Sequence, residues 1–136
     1  MILTDTGPLV ALLDKDDTYH TTCVTAAGRL PFDAMLTTWP CFTEAMYLLG
    51  AVGEYRYQAE LWRLRSKERL IIHNSTAPEI DYMAVLMEKY RDTPMDLADA
   101  SVMATVESRI LCRVFTLDSD FRIYRLRDGS VLEVVP

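Results

Sequence analysis

Ile2-Leu3-Thr4-Asp5-Thr6-Gly7-Pro8-Leu9-Val10 decides how the chain is read. Its first residues form a short apolar β-type run that stops at an acid. Thr6-Gly7-Pro8 is a turn able to open a helix with proline at its first position, and residues 9–13 continue that helix. A strand that feeds straight into a helix meets its next strand after a crossover, which favours parallel pairing.

The same alternation continues outward. The spacing predicts a helix over residues 19–30, broken by Gly28 and Pro31, then a strand at Met35–Thr38. Pro40 restarts a helix that runs to residue 49. Residues 54–68 form an amphipathic helix with Tyr55, Ala59 and Trp62 on one side and Arg56, Glu60, Arg63 and Lys67 on the other. Leu70–His73 reads as a third strand, 78–91 and 96–109 as helices, 114–117 as a fourth strand and 131–135 as the last. The pattern implies an α/β fold, a mainly parallel central sheet with helices on both faces and right-handed crossovers. In such sheets function collects beyond the carboxyl ends of the strands.

The chain's 136 residues suit one domain, 1–136, without a dividing linker. At 50% hydrophobic and 25% charged it has enough apolar material for a core, which excludes a disordered chain. With Gly 5 and Pro 6 it is not collagen-like or low-complexity. No run of about 18 apolar residues is present to span a membrane. The N-terminal run lacks a basic flank and carries Asp5, unlike a signal peptide. Cys23, Cys41 and Cys112 match no CxxC or zinc spacing; we expect buried small hydrophobes in a reducing cytoplasm. A net charge of −6 argues against a broad basic face for nucleic acid, though not against local basic patches or a bound divalent cation.

Acids gather where the topology points. Asp5 closes the first strand and Asp118 follows the fourth, in Thr116-Leu117-Asp118-Ser119-Asp120-Phe121. Glu44 lies about one turn beyond Pro40 among Phe42, Ala45 and Met46. Asp96 and Asp99 fall in one helical turn. Asp96 also fits a helix N-cap and Asp120 a solvated turn residue. Two carboxylates about 5 Å apart repel by roughly 3 kcal/mol at an effective dielectric near 20. Four would cost a sizeable share of the ~5–15 kcal/mol that holds a domain folded. Such a cluster survives by holding protons or a cation, and oxygen-only ligands favour Mg²⁺ or Mn²⁺ over zinc. A metal of that kind activates water and stabilises charge on a phosphoryl group. Arg122, Arg125 and Arg127, with Arg56, Arg63, Arg65, Lys67 and Arg69, are candidates for positioning a phosphate backbone, the second group also fitting a solvated helix face. His20 and His73 have no evident partners in the sequence and read as structural.

Four stretches, in order, together resemble the motifs of PIN domains: Asp5-Thr6-Gly7-Pro8-Leu9-Val10, Thr43-Glu44, Pro94-Met95-Asp96-Leu97-Ala98-Asp99-Ala100-Ser101, and Thr116-Leu117-Asp118-Ser119-Asp120-Phe121. In its compact length the chain is similar to VapC-type toxins, the ribonuclease halves of toxin–antitoxin pairs. The resemblance implies a three-layer α/β/α sandwich and Mg²⁺- or Mn²⁺-dependent endoribonuclease activity. It also implies homodimerisation and inhibition by a small cognate antitoxin. Asp5, Glu44, Asp99 and Asp118 fall on the family's acidic quartet, with Asp5 and Asp99 as principal metal ligands. Thr6 and Thr116 fall on hydroxyl positions lining the pocket, with Asp96 and Asp120 as supporting acids.

A rival reading is a non-catalytic PIN-like domain that binds protein or RNA. DNA cleavage is a rival within the same chemistry. A receiver-type phosphoacceptor would want an acid at the end of the third strand, where His73-Asn74 stands. A haloacid dehalogenase-type phosphatase would want an Asp where Gly7 stands.

Overall fold

The computed structural model describes residues 1–31 and 34–136. Its centre is a five-stranded sheet of β1 (Ile2–Thr4), β2 (Met35–Thr38), β3 (Leu70–His73), β4 (Arg113–Phe115) and β5 (Glu133–Val135). Strand order is β3-β2-β1-β4-β5, and every pairing is parallel. Helices α1 (Thr6–Leu13), α2 (His20–Arg29), α3 (Trp39–Ser66), α4 (Ala77–Lys89) and α5 (Leu97–Arg109) supply the crossovers. From β1 the chain builds β2 and β3 to one side and β4 and β5 to the other. The order therefore reverses between β1 and β4, where a crevice opens at the carboxyl ends of the strands.

Side-chain alternation along the strands sorts the core into two layers. Leu3, Leu36 and Val114 face α4 and α5, packing with Met83, Leu86, Val102, Met103 and Tyr124. Ile2 and Phe115 face the opposite way, with Ala11 and Cys23 of α1 and α2. Leu9, Phe42, Leu49, Leu61 and Leu70 extend that layer between α1 and α3. The result is the expected three-layer α/β/α sandwich. Residues 98–106 of α5 are buried without a break, because Ala98, Ala100, Ser101 and Ala104 are small enough for sheet and α4 to close on both sides.

Local chemistry moves several boundaries. α1 starts two residues before Pro8, because the Asp5 carboxylate accepts from the Thr6 N–H and caps the helix there. Pro8 then falls in the first turn, where its missing N–H is not needed. The two helices expected over 40–49 and 54–68 are halves of α3, which breaks at Glu54 with φ 56° and ψ −153°. Gly50 and Gly53 let the halves approach: a Cβ on Gly53 would lie 2.3 Å from the Tyr57 ring, and one on Gly50 2.4 Å from the Gln58 amide. β4 stops at Phe115 rather than 117, and β5 begins at Glu133 rather than 131. No helix among the described residues is long and apolar enough to cross a membrane.

Candidate active site

The Asp5 N–H donates to the Phe115 carbonyl at 2.9 Å, so pairing with β4 persists one residue past β1 and fixes the start of the turn. The buried Thr116 hydroxyl donates to Asp5 Oδ2 at 2.8 Å and accepts from the Asp118 N–H at 3.0 Å. One threonine thus sets the positions of two acids from two strands. Asp5 Oδ1 takes the Thr6 N–H at 2.8 Å and the Cys41 thiol at 3.5 Å.

α3 brings Glu44 to the same place. Thr38 caps the helix through the Cys41 N–H, and Glu44 Oε2 lies 3.4 Å from the Thr6 hydroxyl. α5 brings Asp99: Asp96 caps this helix by accepting the Asp99 N–H at 2.8 Å, and the Asp99 side chain turns inward. Asp5, Thr6, Gly7, Glu44, Asp96, Ala98, Asp99 and Asp118 line one cleft of about 300 Å³ at the crevice between β1 and β4. All four acids of the expected quartet meet there, with Thr6 and Thr116 beside them. Asp96 both caps α5 and lines the cleft. Asp120 does not line it; its N–H is held by Asp118 at 2.9 Å in the turn Ser119–Arg122.

These charges load one another. Burial, the neighbouring Asp96 and then Asp5 push Asp99 up to about 7. Burial raises Asp5 as well, with Asp118 adding to it, against hydrogen bonds from Thr116, Thr6 and Cys41 that pull it down. Glu44 is raised by partial desolvation and by Asp96. The cleft therefore takes up a proton near neutral pH unless a cation compensates.

Two partners escaped the sequence. Tyr124, fully buried against Phe121 and Tyr90, donates its hydroxyl to Asp99 Oδ2 at 3.1 Å. Burial and the adjacent Asp99 hold its phenol protonated. Cys41, whose thiol burial raises to about 12, touches Asp5 as well as the core. Spacing alone gives no sign of either contact, because Cys41 lies 36 residues from Asp5 and Tyr124 lies 25 residues from Asp99.

Other expectations need correction. Cys23 and Cys41 are buried but Cys112 is exposed. His20 and His73 do have partners: His20 Nδ1 lies 2.6 Å from the Ala11 carbonyl, and His73 Nε2 2.7 Å from Glu79. Arg125 is folded onto the carbonyls of Arg122 and Ile123, and Arg127 lies 4.0 Å over the Tyr82 ring. Arg63 pairs with Glu60 on the surface. No Lys or Arg lines the acid cleft.

The donor set suits a hard divalent cation: carboxylate oxygens with hydroxyls, no imidazole, and a thiol that burial keeps protonated. Among the described residues no three His, Cys, Asp or Glu side chains form a ready-made metal cage. Mg²⁺ keeps several waters and is bound through one or two carboxylates. Asp5 Oδ2, which takes only the Thr116 hydroxyl, retains a free lone pair.

No family model and no curated protein matches the chain. Solved structures do. VapC20 of Mycobacterium tuberculosis, a sarcin–ricin loop cleaving toxin, superposes with a TM-score of 0.86 at 19% identity, covering 100% of both chains. A toxin–antitoxin complex from Klebsiella pneumoniae gives 0.68 at 20% identity, over 89% of this chain and 90% of the other. VapBC2 of Rickettsia felis, bound to a DNA fragment from its promoter, gives 0.68 at 16% identity over 100% of both. At such identities the likeness is one of architecture: the chain has the PIN-like α/β/α fold of VapC-type toxins.

Proposed function

We propose that the chain is a Mg²⁺- or Mn²⁺-dependent endoribonuclease, the toxin of a toxin–antitoxin pair. The observation that carries this is the meeting of Asp5, Glu44, Asp99 and Asp118 in one cleft at the sheet's reversal point. Asp5 caps α1 and Asp118 caps the turn Ser119–Arg122, but Glu44 and Asp99 cap no helix, so four acids sit together at a cost of repulsion that capping does not require. The fold shared with a toxin that cleaves the sarcin–ricin loop supports RNA as substrate. The fold shared with a toxin–antitoxin complex supports a small antitoxin as partner. Homodimerisation, which rests on the motif resemblance, and a cytoplasmic location, which rests on the cysteine usage, complete the proposal.

Asp5 and Asp99 would hold the cation, with Glu44 and Asp118 around it. When bound, it supplies positive charge for the phosphodiester and lowers the pKa of water. The chain's residues do the rest. Thr116 and the Thr6 N–H fix the Asp5 carboxylate and offset part of the burial that raises it. Tyr124 holds Asp99 by one oxygen and leaves the other free. Glu44, more exposed than Asp5 and Asp99 and raised from its ordinary value by partial desolvation and Asp96, is the carboxylate placed to take the proton of the attacking water. Hydrolysis adds that water across one P–O bond, and the leaving oxygen takes a proton from solvent.

Incubating the protein with total RNA in Mg²⁺ or Mn²⁺, and in excess EDTA, tests the proposal. Discrete fragments with metal and intact RNA in EDTA are expected. Equal cleavage in EDTA would remove the metal, and intact RNA throughout would remove the activity.

A further inference from the structure

Glu44, Asp96 and Ala98 line two cavities at once. One is the acid cleft; the other is an adjoining groove of about 700 Å³, otherwise walled by Trp39, Pro40, Thr43, Tyr47 and Leu97. Tyr47 is 75% exposed and Trp39 45%. The Trp39 ring is nevertheless pinned: its indole N–H donates to Asn74 at 2.9 Å, and Phe42 meets it edge-on at 5.7 Å. A fixed aromatic face at the surface has already lost the freedom that binding would remove.

The charges say what such a face is for. No Lys or Arg lines the cleft or the groove, and the chain carries −6 overall. A strand entering the cleft gains little from phosphate neutralisation, which supplies most of the grip in basic nucleic-acid binders. Its hold has to come from another part of the nucleotide. Bases offer flat π-faces that stack on Trp and Tyr without regard to sequence.

We infer that the Trp39–Tyr47 groove is a nucleobase-stacking subsite, which seats an unpaired base next to the phosphodiester in the acid cleft. The inference rests on the ribonuclease reading and adds to it a preference for single-stranded RNA and a hold that salt barely weakens.

The chain has only two tryptophans, Trp39 and Trp62, and Trp62 lies in the adjoining cavity with Trp39 and Tyr47, so intrinsic fluorescence reports on this face. An Asp99→Asn background prevents cutting and leaves the groove lining untouched. The probe is a single-stranded RNA of about ten nucleotides, a length within the range that stacking sites cover. It should quench the fluorescence with saturation, and log K should fall with log salt more shallowly than a slope of about −1. Abasic substitution of the oligomer, or Tyr47→Ala, should weaken binding about ten-fold, whereas Tyr47→Phe should restore it. Equal binding of the abasic oligomer, or no loss in Tyr47→Ala, would overturn the subsite. So would a shift of the free protein from dimer to monomer on Tyr47→Ala, which would give the groove to a second copy. A parallel assay of the wild-type protein on the same oligomer with Mg²⁺ separates the two ideas. Base-dependent quenching without cleavage sinks the nuclease reading alone; cleavage without base dependence sinks the subsite alone.

Discussion

Asp99 is a buried acid beside Asp96, Asp5 and Asp118, raised to about 7 and so half-protonated near pH 7. Replacing it with Asn removes one charge and keeps an oxygen for the Tyr124 hydroxyl. We expect Asp99→Asn to lose RNA cleavage by at least about a hundred-fold, in the range of losing a principal electrostatic group. The metal-free variant should melt a few degrees higher than wild type at about pH 8, as a calorimetric scan would show. Full activity would move the metal site elsewhere. Tyr124→Phe tests the partner the sequence did not reveal. The ring keeps its packing with Phe121 and Tyr90 and loses only the hydrogen bond. Asp99 then becomes harder to ionise, so Mg²⁺ affinity by calorimetry should drop several-fold with little change in melting temperature. The four acids were readable because each follows a strand or opens a helix, positions that the alternating pattern fixes. Tyr124 was not, because it lies 25 residues from Asp99, and nothing in Arg122-Ile123-Tyr124-Arg125 aims its hydroxyl at an acid.

The elements follow local chemistry where that chemistry is strong. Thr76 and Glu79 form a capping box that starts α4, with Pro78 in its first turn, and the pattern of 78–91 already located that helix to within two residues. At the break in α3, which falls between the two helices that the pattern separated, Glu54 takes φ 56°, a conformation that costs a residue other than glycine. The end of α5 shows the same conflict. Ile110, 91% exposed, takes the left-handed conformation at φ 54° and ψ 49°, where glycine usually stands. A β-branched residue is strained there and loses no core contact when removed. Ile110→Gly should therefore raise the urea midpoint, with a gain of about 1 kcal/mol and an unchanged slope. A lower midpoint would mean that the exposed side chain makes contacts that outweigh the strain.

Across the whole molecule, sheet order and net charge act together. The reversal between β1 and β4 brings residues 5, 44, 99 and 118 to one opening, so the repulsion among them is a property of the fold rather than of any one element. Its sign is fixed by Asp99, whose folded pKa of about 7 lies above its ordinary 3.8. The folded state then binds a proton that the unfolded chain has already released. Stability from this group is full below about 3.8, falls as pH rises through about 7, and is absent above. Without divalent ions the protein should melt higher at about pH 5 than at about pH 8, by an amount on the order of 2 kcal/mol. A bound cation replaces the proton's effect and binds the ionised site best. Mn²⁺ should therefore raise the melting temperature strongly at about pH 8 and weakly at about pH 5, which flattens the profile. In Asp99→Asn the pH slope should shrink to what the raised Asp5 and Glu44 leave, and most of the Mn²⁺ response should go with it. Should the slope shrink while the Mn²⁺ response remained, the ion would be bound away from Asp99.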